Sequence, residues 1–318
     1  MTASTIHRPA AAARSRLAAA GAIAVAGALL LSACGDQTKK SGGKEPGSAA
    51  SAAPLFDKLP QAVKDAKVIK VGSDIAYPPV EFRKEGKVIG LDPDLADAMG
   101  KQLGVRFEFN NSTFDSLLAG LRSKRYDVAM SAMTDNKDRQ NGVDPSTNKK
   151  VGEGVDFVDY FQAGVSIYTV KGKSEGIKGW PDLCGKKVVV QRGTVSDDLT
   201  KKQSEKCGDN KISIEAFEDD IQAQTRLRGG GADAGASDFP VAAYAVKTSG
   251  GGNDFELVGD QVQAAPYGIA LPKEQTQLRD ALKEALDAII KNGEYQKILN
   301  KWGVADGALK EARVNGGS

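Results

Sequence analysis

Histidine is almost missing from this chain: His7 is the single one in 318 residues. It falls in a segment that reads as a removable leader, so the mature chain keeps none. Chemistry built on a Ser–His or Cys–His pair, or on zinc held by imidazole, is thereby excluded, and most hydrolase readings go with it. Aromatic residues are few, at 6%, and no basic stripe runs between them, so nothing points to nucleic acid. Charge of one sign is missing too. The net charge is +2, and beyond residue 66 there are 35 basic against 37 acidic residues. After Leu31 no run is apolar enough to cross a bilayer, which takes about 20 residues. Cysteine is scarce, with Cys34, Cys184 and Cys207 only.

The N-terminus is there for targeting. Arg8, Arg14 and Arg16 precede the Ala-rich apolar run Leu17–Leu31, and Leu31-Ser32-Ala33-Cys34 closes it with small residues before a cysteine. This reads as a bacterial lipoprotein signal over residues 1–33, with Cys34 as the lipidated first residue of the mature chain. Residues 34–66 are read as the lipidated cysteine and a flexible linker. Its stretch Gly35–Pro54 is Gly, Ser, Ala and Lys, too poor in apolar surface to order itself. The protein is therefore expected outside the cytoplasm, tethered by lipid to the outer face of the cell membrane. An exported chain with two remaining cysteines favours a Cys184–Cys207 disulfide.

Between residues 67 and 302 the hydrophobic pattern alternates between strand and helix. Val68–Gly72, Val105–Phe109 and Asp127–Met130 read as strands, with helices at Leu91–Met99 and Phe114–Leu121. Asp92 is expected as a helix N-cap with Pro93 at the first helical position. The plan repeats with strands Lys187–Gln191, Ile212–Ala216 and Ala232–Ala236, and helices Ser196–Lys206 and Asp220–Leu227. This order predicts an α/β protein of two lobes, each a mostly parallel sheet flanked by helices. Two apolar crossings, Tyr160–Tyr168 and Ala264–Ala270, make a two-strand hinge. Lobe one is expected to span 67–163 plus 264–318, and lobe two 164–263. Two C-terminal apolar stripes, Leu278 to Ile289 and Tyr295 to Trp302, are read as core faces packing on lobe one.

The repeat extends to single residues. Leu121, Arg122, Asp127 and Ser131 recur at identical spacing as Leu227, Arg228, Asp233 and Ser237. The first copy continues to Ala132, Thr134 and Arg139, the second to Asp238. Loops at the carboxyl ends of strands in open α/β sheets are where small ligands bind. Hydroxyls with a guanidinium suit a carboxylate, and an acid opposite suits an ammonium. Arg139 and Asp238 therefore outline a receptor for an amino-acid zwitterion, while Asp127 and Asp233 read as turn residues.

These features together resemble the family 3 extracellular solute-binding proteins, the amino-acid-binding components of ABC transporters. The resemblance rests on Gly90-Leu91-Asp92-Pro93-Asp94-Leu95-Ala96, on Tyr126–Thr134 with Arg139, on Val155-Asp156-Phe157 and on Pro266-Tyr267-Gly268-Ile269. It implies that Arg139, Thr134 and Thr194, on the Gly193 loop, hold the ligand carboxylate, and that Asp238 receives the ammonium. It also implies that Tyr77 and Phe114 sandwich the aliphatic part, and that Asp74 touches the side chain. Asp74, Gln191, Arg192 and Ser237 are the residues expected to read that side chain. Their mixed charge favours a polar or acidic amino acid over an apolar one. Val80 stands where the family often has an aromatic, and the segment Asn141–Gly154 is longer than the family norm. The expected partners are an amino acid, a permease and the membrane through the lipid, with the protein a monomer and no cofactor, metal or nucleic acid called for. The alternative is an enzyme of dehydratase type on the same scaffold, which would need a carboxyl such as Glu81 or Asp74 in the cleft.

Overall fold

Two strands run the length of the structure, Val155–Val170 and Phe255–Pro272, of 16 and 18 residues. The computed structural model describes residues 53–318; the leader and Cys34 lie outside the described residues. Each long strand changes partners midway. In its first lobe, Val68–Ser73 pairs in parallel with Arg106–Asn111 and with Val128–Ala129, and Ala129 meets Ala270 in antiparallel fashion. In the second lobe, Lys187–Gln191 pairs in parallel with Ser213–Phe217 and Ala234–Asp238, and the latter runs antiparallel to Val165–Tyr168. The crossings are thus part of one continuous sheet. Register shifts between Val258 and Val262, and between Val262 and Ala265, mark where it bends. Val155–Val170 is buried at all but two positions. That burial on both faces goes with a mainly apolar sequence, in which Asp156, Asp159, Ser166 and Thr169 are buried as well.

The core divides in the same way. Leu95, Met99 and Leu103 of the helix Leu91–Leu103 pack with Leu278, Leu282, Leu286 and Ile289 of the helix Thr276–Lys291, and with Ile298 and Leu299 of Glu294–Trp302. Val165, Ile167, Val188, Val190, Leu199 and Ala234 gather separately. The two aspartates of the internal repeat do the same job in each half. Asp127 Oδ2 accepts from the Lys70 backbone N–H at 2.8 Å, and Asp233 Oδ2 from that of Lys187 at 2.7 Å. Each ties the return strand to the first strand of its lobe.

Two expectations are corrected here. The helix does not begin with Asp92 as its cap: it starts at Leu91, with Gly90 in the cap position at φ 143°. Its first N–H groups are satisfied by loop carbonyls, Leu91 to Pro79 and Asp92 to Val80. A side chain on Gly90 would collide with the Val80 carbonyl, so only glycine fits. Asp92 is freed to point inward. Second, the linker assigned to 34–66 is packed over its final part. Phe56–Lys58 and Gln61–Ala66 are helical, and Leu59 and Val63, four residues apart, are buried in the lobe-one core.

Cys184 and Cys207 are disulfide-bonded, with Cα atoms 5.4 Å apart. They join the turn before Lys187–Gln191 to the end of the helix Val195–Lys206. Closing a loop of this size contributes roughly 3 kcal/mol in the chain-entropy model. Among the described residues no helix is long and apolar enough to cross a membrane.

Candidate amino-acid-binding site

The strand ends of the two lobes face each other, and their side chains touch across the gap. Tyr77 Oη and Ser237 Oγ share a hydrogen bond at 3.1 Å, and Gln191 Nε2 donates to Asp74 Oδ2. Arg139 Nη2 donates to the Gly193 carbonyl at 3.2 Å, and Arg192 Nη1 lies 3.8 Å from Asp115 Oδ2. The lobes are therefore closed on each other around these residues.

Arg139 sits on the short helix Lys137–Asn141, capped by the Asn136 side chain, which accepts from the Arg139 N–H. Its Nη1 donates to the Thr134 carbonyl at 2.8 Å, and its guanidinium lies 5.3 Å from the centroid of the Phe114 ring. Burial lowers its pKa from the usual arginine value, against the pull of Asp198, Asp238, Asp135 and Asp138. A guanidinium held by a backbone carbonyl and an aromatic face still has N–H groups to offer a carboxylate.

Opposite it, Asp238 ends the strand Ala234–Asp238 and occupies the cap position of the helix Phe239–Thr248. Its side chain makes no capping bond, and Pro240 leaves one fewer N–H to cap. The carboxylate is 7% exposed and stays available to a ligand. Burial pushes its pKa up to about 6, offset in part by the Tyr267 and Tyr77 hydroxyls and by Arg139. Asp74 is pushed further, to about 7, first by burial and then by Asp219, Asp220 and Asp115, with Gln191 pulling the other way. Asp220 is itself raised to about 6 by burial. Asp74 and Asp220 are thus buried acids, with the half-buried Asp219 and the exposed Asp115 adding their charge, an environment that a cation would relieve.

Not every residue singled out in the sequence faces the gap. Ser131 Oγ donates to Glu81 Oε1 at 2.6 Å and accepts from the Asp74 N–H at 3.0 Å, so it supports Asp74 from behind. Ala132 takes a left-handed φ of 46°, and its N–H points to Asp92 Oδ2 at 3.3 Å, which also accepts from Tyr160 Oη at 2.9 Å. Thr194 caps the helix Val195–Lys206, accepting from the Asp197 N–H, and gives its own proton to the Gln191 carbonyl at 2.7 Å. Its hydroxyl hydrogen is therefore not directed at a carboxylate. The Gly193 N–H goes to Asp197 Oδ2 at 3.0 Å. Arg192, its side chain 51% exposed, donates to the Ala216 carbonyl and faces Asp115 at the rim of the cavity beside Arg139. Sequence reasoning passed over Tyr267, Asp198 and the pair Asp219 and Asp220. Tyr267 lies inside the Pro266–Ile269 motif, and Asp219 caps a helix two residues past a strand end, which was signal enough to include them.

A cavity of about 310 Å³ opens beside Arg139, lined by Phe114, Asp198 and Gly193. The long segment Asn141–Gly154 roofs it. Its hairpin, Val143–Asp144 with Lys149–Lys150, places Val143, Asp144, Pro145 and Ser146 along the cavity wall. A larger cavity of about 450 Å³, between the helix Phe239–Thr248 and residues 300–307, contains none of the strand-end residues. Of the candidate site residues, Phe114, Arg139, Arg192 and Gly193 line the first cavity, while Asp74, Tyr77, Gln191, Ser237 and Asp238 meet behind it, where the two lobes touch.

Residues 69–305 match the model of the bacterial extracellular solute-binding proteins, family 3. The chain is 34% identical to the arginine-binding protein ArgT of Corynebacterium glutamicum over 81% of each chain. It is 30% identical to the L-cystine-binding protein TcyJ of Escherichia coli K12, over 77% of this chain and 85% of that one. Among solved structures it superposes on an ancestral arginine-binding protein bound to arginine with a TM-score of 0.66 and 35% identity, covering 74% of this chain and 98% of the other. An ancestral amino-acid-binding protein described as a precursor of cyclohexadienyl dehydratase gives 0.64 and 33%, over 76% of this chain and 97% of the other. The chain belongs to the family 3 solute-binding proteins, and its function is amino-acid solute binding outside the cytoplasm.

Proposed function

We propose that this family member closes on a cationic amino acid, with arginine the leading candidate, and delivers it to an ABC permease. The observation that carries the cationic reading is the buried Asp74, whose carboxyl is raised by burial and by the charges of Asp219, Asp220 and Asp115, while Arg192 is paired with Asp115 at the rim. The sequence alone favoured a polar or acidic ligand because it counted Arg192 as part of the pocket. With the Arg192 charge met by Asp115, the carboxyls of Asp74, Asp219 and Asp220 leave the side-chain end of the site acidic. The arginine-binding relatives point the same way. In this reading Arg139 and Thr134 hold the carboxylate, Asp238 the ammonium, Tyr77 and Phe114 the aliphatic stem, and Asp74 with Gln191 the cationic end. Lobe boundaries at 163/164 and 263/264 fit this closure, because the pairing of the two long strands shifts register between Val262 and Ala265.

The acids set a pH dependence. Asp74 at about 7 and Asp238 at about 6 hold protons near neutrality when no cation sits between them. A cation binds the ionised carboxylates, so binding releases protons and affinity rises with pH until both are ionised without help. Affinity for L-arginine should therefore strengthen from about pH 5 to about pH 7.5 and level off above. Calorimetry in two buffers of different ionisation enthalpy measures the released protons directly. An affinity that is flat or falls over that range would contradict the assignment of Asp74 and Asp238.

The enzyme reading is the weaker one. Glu81 is fully buried behind Ser131, its carboxyl raised by burial and by Asp92, so of Glu81 and Asp74 only Asp74 reaches the gap. Incubation with amino-acid precursors should give no turnover. Lipidation at Cys34 completes the proposal, motivated by Leu31–Cys34 and the polar stretch behind it. Metabolic labelling with a fatty acid should mark the wild type and spare Cys34→Ala; an unlabelled wild type would sink the anchor.

A further inference from the structure

Residues 306–318 lie past the end of the family match, yet Ala312 to Gly317 are each tied into the first lobe. Ala312 is buried and donates its N–H to Asp287 Oδ1 at 2.8 Å. Arg313–Val314 then pairs antiparallel with Val158 and Asp159, covering the edge that Val155–Val170 leaves open in this lobe. Asn315 Oδ1 accepts from the Phe157 N–H at 2.8 Å, and its Nδ2 donates to Asp156 Oδ1 at 2.9 Å. The Gly316 N–H goes to Asp159 Oδ2 at 2.9 Å. Finally the buried Gly317 donates to Asp135 Oδ2 at 2.8 Å and accepts from Gln140 Nε2 at 3.4 Å.

Those last partners bracket Arg139. Asp135 follows Thr134, and its Oδ1 accepts from Gln140 Nε2 at 2.6 Å, closing a ring around the short helix that carries the guanidinium. On its other side this segment is held by the Asp135 N–H to the Pro266 carbonyl and by the Thr134–Tyr267 bridge. A five-residue helix cannot hold its own orientation in water. The tail supplies buried, charge-assisted bonds that fix it.

We infer that the C-terminal tail, Ala312–Ser318, is a clamp on the Thr134–Gln140 segment that positions Arg139, and that it thereby sets affinity for the ligand carboxylate. The inference rests on Arg139 as the carboxylate grip. Gly317 is required at the tip, because a side chain there would overlap the Asp135 backbone carbonyl.

Two variants of the full chain test it: one ending at Glu311, and Gly317→Ala, which keeps every residue and displaces only the tip. Lys310→Ala, at an exposed position, is the control. The truncated chain should lose about ten-fold in affinity for L-arginine, and Gly317→Ala a smaller part of that, with the control unchanged. In an Arg139→Lys background the truncation should cost less than about three-fold, because both changes act on one contact. Hydrogen exchange of the ligand-free proteins gives a reading independent of any ligand. Amides of residues 133–141 should exchange faster in both tail variants, and those of 187–217 should not. Unchanged exchange in 133–141 overturns the clamp, as does an equal loss of affinity with and without Arg139. If the full chain binds no amino acid while exchange changes as stated, the functional reading fails and the clamp stands.

Discussion

Arg139→Ala is expected to weaken amino-acid binding by roughly thirty-fold to several-thousand-fold, the range for removing one partner of a desolvated charge-assisted contact. The structure gives three reasons for a large effect. The guanidinium is aligned by the Thr134 carbonyl and the Phe114 ring before any ligand arrives, so little ordering remains to be done on binding. It is the group through which the first lobe reaches the Gly193 loop of the second, so closure loses a contact as well. Burial already opposes its charge, and a carboxylate compensates that burial directly. Arg139→Lys should fail nearly as badly, since an ammonium cannot reproduce a two-pronged fork or lie flat on Phe114 in the same way. Calorimetric titration with L-arginine checks both, and wild-type affinity in either would remove Arg139 from the site.

Asp238→Asn should separate binding from stability. The amide keeps the shape and loses the charge, so binding should fall by roughly thirty-fold or more. The empty protein should not suffer. The Asp238 side chain makes no capping bond, so the helix Phe239–Thr248 loses nothing when it changes. The sign of the pH effect points the same way. The folded pKa of about 6 lies above the ordinary aspartate value, so this group favours the folded state only at low pH. That contribution is lost as pH rises from about 4 through about 6. At neutral pH the buried carboxylate is a burden on the empty fold, and Asp238→Asn should melt at the wild-type temperature or above it. A variant that binds normally would sink the ammonium assignment. One that melts well below the wild type would show that Asp238 holds the fold together instead.

The sequence carried the order of strands and helices because burial on both faces of a parallel sheet writes a plain apolar pattern. It also carried the two-copy repeat, down to Asp127 and Asp233, because each closes the same backbone bond in its own lobe. Direction of side chains was much less legible. Ser131 and Ala132 sit at the strand end as anticipated, yet their polar groups face the buried Glu81 and Asp92. Only the packing of the helix Leu91–Leu103 under that loop decides this. Arg192 was counted as a reader of the ligand side chain by its neighbours in sequence, while Asp115 and the Ala216 carbonyl, far away along the chain, hold it at the cavity rim. Glycine at position 90 as a helix start depends on carbonyls from Pro79 and Val80, again a contact that no local pattern announces. The packed turn at Leu59 and Val63 was lost for a simpler reason: two apolar residues are too few for a periodicity to show.

Asp74, Asp219 and Asp220 make the ligand question answerable by one panel. The purified protein is melted in the presence of each of the twenty amino acids, one at a time, at equal concentration and near pH 7.5. A ligand present at about a thousand times its dissociation constant stabilises the folded state by about 4 kcal/mol, a shift of several degrees that cannot be missed. The cationic amino acids, arginine foremost, should give the largest rise, and glutamate and aspartate none. A largest shift from an acidic amino acid would contradict the acidic pocket around Asp74, and no shift from any of the twenty would contradict the grip between Arg139 and Asp238.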